Sequence, residues 1–280
     1  MKIKDILSGD NINEKKLALE QVLNLSVPEI LLNKEKKLTP KQQKKYQKIE
    51  KKINKNLPIQ YILKKTNFYG EEFYLNKNVL IPRPETEYLV EETLNLIKEH
   101  FKNKKVTILD IGTGSGIIAI TLNNKLKNSS ILATDISKKA LKIAKKNQKL
   151  HKTNVNFQKT YLYKNINQKF DVIISNPPYI EENSKKVEEK VNKNEPHLAL
   201  FGGKDGLKYY KEIVKDIKSI INKNHIIAFE IGENQGEKIK KIITKELPND
   251  KVIIKKDYNG YDRYIYSISK KWIKIKNKSH

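Results

Sequence analysis

The sequence predicts an α/β protein: a doubly wound, mostly parallel sheet with helices on both faces, preceded by a small helical domain and joined to it by a β-hairpin. Three observations predict it. From Glu85 onward, short runs of Val, Ile and Leu alternate with amphipathic helical patterns, the arrangement that buries both faces of a parallel sheet. Residues 1–57 carry only the helical period. Residues 58–84 break that period with aromatic and β-branched residues, punctuated by Gly70 and by Asn76 to Asn78. The expected domains are 1–57, helical; 58–84, a hairpin linker; and 85–280, the sheet domain.

Each element has a local cause. In the helical part Leu19, Val22 and Leu23 fall at i, i+3 and i+4, and Tyr46, Ile49 and Ile53 at i, i+3 and i+7. Helix starts are marked by Ser26 with Glu29 three residues on, a capping-box pattern, and by Thr39 before Pro40 at the first helical position. In the sheet domain strands are expected at 106–110, 131–135, 155–158, 171–175, 226–230, 252–256 and 264–267. Amphipathic helices fill the intervals, for example 138–150 behind Ser137 as cap. No helical pattern separates the last two strands, so they should pair antiparallel. The basic tail, 270–280, is expected to be loose.

Composition narrows the chemistry. The chain has no cysteine, which removes disulfides, thiolate catalysis and Cys-ligated metals. Its five His are dispersed without paired spacing, so no metal site is expected. No apolar run approaches the ~18 to 20 residues of a membrane span, and the first ten residues do not read as a secretory signal. A cytoplasmic protein with no membrane partner is expected. The net charge of +25 would suit a nucleic-acid binder, yet the excess Lys is spread over nearly every segment beside abundant Asn and Ile. It is read as the composition of a genome rich in A and T codons, with no stable nucleic-acid partner required.

Two segments carry chemistry. Asp110-Ile-Gly112-Thr113-Gly114-Ser115-Gly116 lies between a predicted strand and an apolar helix, where glycines permit a tight turn and close approach of backbone to a ligand. Asp135 ends the next strand about 20 residues on, the place of a carboxylate that accepts from both ribose hydroxyls of a nucleoside. The spacing is G-x-G-x-G, without the third glycine of the pyrophosphate-binding G-x-G-x-x-G. That favours S-adenosylmethionine, which has no phosphate, although the loop alone leaves dehydrogenases open.

The second segment, Asp171 to Ile180, is an apolar strand that runs into Asn176-Pro177-Pro178-Tyr179. Ligands of open α/β sheets bind beyond the carboxyl ends of the strands, so Asn176 should face the glycine loop. A planar amide or aromatic amine is a poor nucleophile because its lone pair is delocalised. If its two N–H groups donate to the Asn176 side-chain oxygen and the Pro177 carbonyl, the nitrogen is held toward a methyl donor as the lone pair localises. The prolines fix the carbonyl, and Tyr179 covers the planar group.

These four residues resemble the motif of amino-methyltransferases that act on adenine, guanine or glutamine. The likeness then extends along the chain through Pro58 to Ile62, Phe68 to Gly70, Val79 to Glu87, Glu195 to Leu200, Gly203 to Leu207, Phe229 to Gly236 and Asp262-Arg263. On these segments the chain resembles the glutamine methyltransferases of peptide chain release factors. The resemblance implies a Rossmann-like class I methyltransferase sheet and S-adenosylmethionine as methyl donor. It implies a target glutamine in the Gly-Gly-Gln loop of release factors, with the helical domain and hairpin engaging the protein partner. Asn176, Pro177 and Tyr179 would be catalytic, and Pro178 would join them in binding substrate. Gly112, Thr113, Gly114, Ser115, Gly116, Asp135, Tyr161 and Asn176 would bind the cofactor. Relatives carry an acidic residue near 158–163 where this chain has Lys159, Thr160, Tyr161 and Leu162, and Tyr161 is the residue expected to stack on the adenine. Arg83 and Glu85 are expected to form an ion pair that organises the hairpin, or else to touch substrate. A monomer is expected. The alternatives are a nucleic-acid amino-methyltransferase, which would need a module able to flip a base, and a non-catalytic RNA binder that has kept the fold.

Overall fold

The computed structural model describes residues 1–102, 104–184 and 188–269, so the expectation for 270–280 lies outside the described residues. Five helices open the chain: α1 (Ile3–Ile6), α2 (Ile12–Leu23), α3 (Val27–Leu32), α4 (Pro40–Ile53) and α5 (Ile59–Leu63). The two expected caps are present, since Ser26 Oγ accepts from Glu29 N while the Glu29 carboxylate accepts from Ser26 N, and Thr39 and Gln42 do the same. Ile3, Leu19, Ile30, Tyr46, Ile53 and Ile59 form the core of this cluster.

Helix α5 falls within 58–84, where a hairpin was expected to begin. Ile59 turns into the helical core and Pro58 supplies the entry, so the helical part runs to Leu63. Only β1 (Lys65–Phe68) and β2 (Glu71–Tyr74) make the antiparallel pair, turning at Tyr69 and Gly70, both with positive φ.

Helix α6 (Pro84–Phe101) leads into a seven-stranded sheet. Its elements are β3 (Val106–Ile111), α7 (Ile117–Lys125), β4 (Ser129–Asp135), α8 (Lys138–His151), β5 (Val155–Lys159), β6 (Phe170–Ser175), α9 (Glu189–Asn194), α10 (Lys208–Lys215), β7 (Ile221–Glu230), α11 (Gly236–Glu246), β8 (Asp250–Lys256) and β9 (Asp262–Ser269). The strand order is β5-β4-β3-β6-β7-β9-β8, and β9 is antiparallel to both its neighbours. This is the class I methyltransferase sheet. Its two faces are sealed by separate apolar layers: α6, α7 and the hairpin cover one through Leu89, Ile97 and Ile118, and α10 and α11 cover the other through Ile213, Val214 and Ile239. Burial of both faces is why the central strands are nearly uninterrupted Val, Ile and Leu.

The sheet positions the site at its switch point. Chain order reverses between neighbours β3 and β6, and Ile111 pairs in register with Ser175. Ser175 Oγ donates to the Ile111 carbonyl at 2.6 Å. Gly112 and Asn176 are the next residues of the two strands, so the glycine loop and the Asn-Pro-Pro-Tyr segment leave the sheet side by side.

Candidate active site

The glycine loop is held by its own backbone and by the end of β4. Gly112, Gly114 and Gly116 all have positive φ, which residues with a Cβ adopt only with strain. Gly112 and Thr113 both donate their N–H to the Thr134 carbonyl at 2.9 Å, and Gly114 N–H donates to Asp135 Oδ2 at 2.9 Å. Asp135 Oδ1 accepts from Ser137 N–H at 2.7 Å. Burial pushes the Asp135 carboxyl up, opposed by those two backbone donors.

The loop residues divide by role. Gly112, Gly114 and Asp135 line a cavity of about 320 Å³. Thr113 turns inward, donating its hydroxyl to buried Asp110 at 2.5 Å. The Ser115 carbonyl accepts from Asn147 Nδ2 at 2.9 Å. At Gly116 a Cβ would lie 3.0 Å from the Ala144 Cβ, so this glycine lets α7 meet α8. Asn147 was not anticipated: fully buried on α8, it also exchanges hydrogen bonds with Tyr74 N and O, tying β2 to the glycine loop. A polar residue on the inner face of an amphipathic helix was the available signal.

Most of the remaining cavity wall is apolar. Ile136, Tyr161 and Leu162 stand on one side and Asn78 to Leu80 on another, with Pro196, Leu198 and Ala199 at the rim. The Tyr161 hydroxyl donates to Glu212, and burial, seconded by that carboxylate, holds the phenol well above its usual range. Ile136 and Leu198 were also missed, although Ile136 is 49% exposed directly after Asp135, an apolar side chain left open beside a carboxylate. The donor set suits an adenosyl group. Each Asp135 oxygen keeps a second lone pair for a ribose hydroxyl, and flat apolar walls flank the position of a base.

Asn176, Pro177 and Pro178 line the same cavity. Tyr179 and Ile180 line a second, more open cleft of about 840 Å³, together with Pro58 and Gln60 of the helical part, Arg83 and Arg263. The motif is thus the partition between two cavities. Its backbone is clamped: Ile180 N–H donates to the Leu200 carbonyl, Gly202 N–H to the Ile180 carbonyl, and Gln235 Nε2 to the Tyr179 carbonyl at 2.9 Å. A Cβ on Gly206 would stand 2.3 Å from that carbonyl oxygen, and one on Gly202 would stand 2.5 Å from that of Pro178.

The Asn176 side chain donates from Nδ2 to Thr86 Oγ1 at 3.2 Å. Thr86 in turn donates to Glu230 Oε2 at 2.7 Å, and Tyr179 donates its hydroxyl to Glu230 Oε1 at 3.3 Å. Burial pushes the Glu230 carboxyl up to about 7 against the pull of Thr86 and Arg263. The expected Arg83–Glu85 pair does not form. Arg83 instead pairs with Glu195 at 2.7 Å, and Glu195 also accepts from Ile81 N–H at 3.1 Å. The sequence signal was Glu195 ahead of Pro196, whose partner 112 residues upstream no local spacing reveals.

The model described as the PrmC N-terminal domain matches residues 5–63, and that described as the methyltransferase small domain matches residues 89–202. A release factor glutamine methyltransferase of Bacillus cereus is 37% identical over 264 residues, which cover 93% of each chain. The chain belongs to the release factor glutamine methyltransferase family. A second member, from Flavobacterium psychrophilum, is 40% identical over 89% of this chain and 88% of its own. Among solved structures, a methyltransferase from Pyrococcus furiosus shares the fold with a TM-score of 0.54 at 20% identity, over 78% of this chain and 96% of that one.

Proposed function

We propose that this enzyme methylates the side-chain amide nitrogen of the glutamine in the Gly-Gly-Gln loop of peptide chain release factors, with S-adenosylmethionine as methyl donor. The observation that carries the reading is the position of Asn176: it follows β6 level with the glycine loop and lines the smaller cavity, where the segment from Asn176 to Tyr179 parts it from the open cleft. Gly112, Gly114, Asp135 and Tyr161 hold the cofactor, which supplies an electrophilic methyl group. Asn176 Oδ1 and the Pro177 carbonyl accept the two N–H groups of the target amide, and the Tyr179 ring covers its plane. Holding the nitrogen on line with the methyl supplies most of the acceleration, and no strong base is needed because the nitrogen becomes acidic as it is methylated. Residues 1–63 and the β1–β2 pair form the protein-binding part, and the cleft between Gln60 and Arg263 admits the glutamine loop.

The enzyme works as a monomer in the cytoplasm and needs no stable nucleic-acid partner. Among the described residues no helix is long and apolar enough to cross a membrane. Mass spectrometry of purified release factor after incubation with the enzyme and S-adenosylmethionine tests the reading, with duplex DNA and ribosomal RNA as parallel substrates. One added methyl on the Gly-Gly-Gln glutamine is expected. Methylation of nucleic acid alone would overturn it.

A further inference from the structure

Asn176 can hold a target amide only if its own amide presents oxygen, not nitrogen, toward the substrate. At the end of β6 nothing in the strand dictates this, since the two ends of an Asn amide have nearly the same shape. The choice is made by chemistry on neighbouring elements. Thr86, 2% exposed in the first turn of α6, and Glu230, 1% exposed at the end of β7, lie behind Asn176.

We propose that Thr86 and Glu230 are positioning residues that lock the Asn176 amide with Nδ2 inward and Oδ1 toward the substrate, while the second carboxylate oxygen steadies Tyr179. The logic is one of donor count. A hydroxyl has a single proton, and Thr86 commits it to Glu230 at 2.7 Å. Only lone pairs of Oγ1 then remain to face Asn176, so the group that meets them must be an N–H. Turning the amide over would set Oδ1 against those lone pairs. A carboxylate is suited to the end of this chain because it accepts at both oxygens and offers no competing proton. Tyr179, which donates to the other oxygen at 3.3 Å, is thereby fixed by the same group that orients Asn176. Two substrate-facing side chains from one loop thus take their orientation from one buried acid.

The inference rests on the amide-methylation reading of the site. Its test compares Thr86→Val, which keeps the shape and loses the hydroxyl, with Thr86→Ser, which keeps the hydroxyl and loses a methyl. In Thr86→Val cofactor affinity should stay within about threefold of wild type and KM should change little, while kcat falls about tenfold to hundredfold. Thr86→Ser should restore kcat to within about threefold. The contrast is scored on whichever substrate the wild-type enzyme methylates, so a wrong substrate and a wrong relay give different results. A readout independent of turnover is the side-chain amide resonance of Asn176 in nitrogen-labelled protein. One of its protons should be protected from exchange in wild type and in Thr86→Ser, and unprotected in Thr86→Val. Equal kcat in the Val and Ser variants, or an unchanged Asn176 resonance in Thr86→Val, would overturn the assignment.

Discussion

Arg83 pairs with Glu195 in the wall of the open cleft at 2.7 Å, and the Glu195 side chain is only 2% exposed. The same carboxylate caps the Ile81 amide, so one buried charge joins the segment after the hairpin to the segment before the cofactor-cavity rim. Removing it by Glu195→Ala leaves the Ile81 N–H without its acceptor, and leaves Arg83, a third exposed, with the Ile81 carbonyl and water. Stability should drop by about 2 to 4 kcal/mol, with Glu195→Gln losing less because its oxygen still accepts from Ile81. Urea denaturation of the two variants against wild type measures the difference.

Asn176→Ala should bind S-adenosylmethionine within a few-fold of wild type, since Gly112, Gly114 and Asp135 are untouched, and should turn over orders of magnitude more slowly. Calorimetric titration with the cofactor and single-turnover methylation separate the two effects. Turnover equal to wild type would remove Asn176 from the chemistry.

Burial raises the Glu230 carboxyl to about 7. Its surroundings are the Thr86 and Tyr179 hydroxyls in contact, Arg263 favouring the anion and Glu85 opposing it. Above this pKa both oxygens accept. Below it the acid proton competes with one of the two donors, so kcat should rise with pH through about 7. The inflection should vanish from the pH profile of Glu230→Gln.

Asp110 and Glu230 are both raised to about 7 by burial, so the folded protein keeps protons there that the unfolded chain releases near the ordinary carboxyl range. The proton count is higher in the folded state between those limits. The contribution of these two groups to stability therefore falls as pH rises from about 4 to about 7 and is flat above that. Denaturant midpoints of the cofactor-free enzyme at pH 5 and pH 8 should show the decline, and Asp110→Asn should reduce it.

Gly116→Ala should lower stability by about 1 to 3 kcal/mol, through its positive φ and the contact with Ala144. Cofactor affinity, corrected for the unfolded fraction, should hold. Thermal melts with and without cofactor test whether the loss lies in packing.

The parts of the fold legible in the sequence are those set by local rules. All seven strands of the large sheet lie where apolar runs placed them, and Ser26, Thr39 and Ser137 each cap a helix. Helix α5 was hidden because Pro58 to Leu63 is short and apolar, and in five residues helix and strand periods cannot be told apart. At the site, the glycine loop and Asn176 could be read because strand ends and glycines have local signatures. Glu195, Thr86, Glu230 and Asn147 could not, because each acts through a partner between 32 and 144 residues away in the chain. A polar residue in an apolar context signals that a partner exists without naming it.

The register of Ile111 with Ser175 also bears on how the enzyme comes into being and fails. These neighbours are 64 residues apart, and their pairing must close a long loop before it is rewarded by contacts. Until β3 and β6 meet, the glycine loop and the Asn-Pro-Pro-Tyr segment of the proposed site belong to separate stretches of chain. Assembly of the site is therefore tied to the closing of the central sheet, the non-local step of this topology.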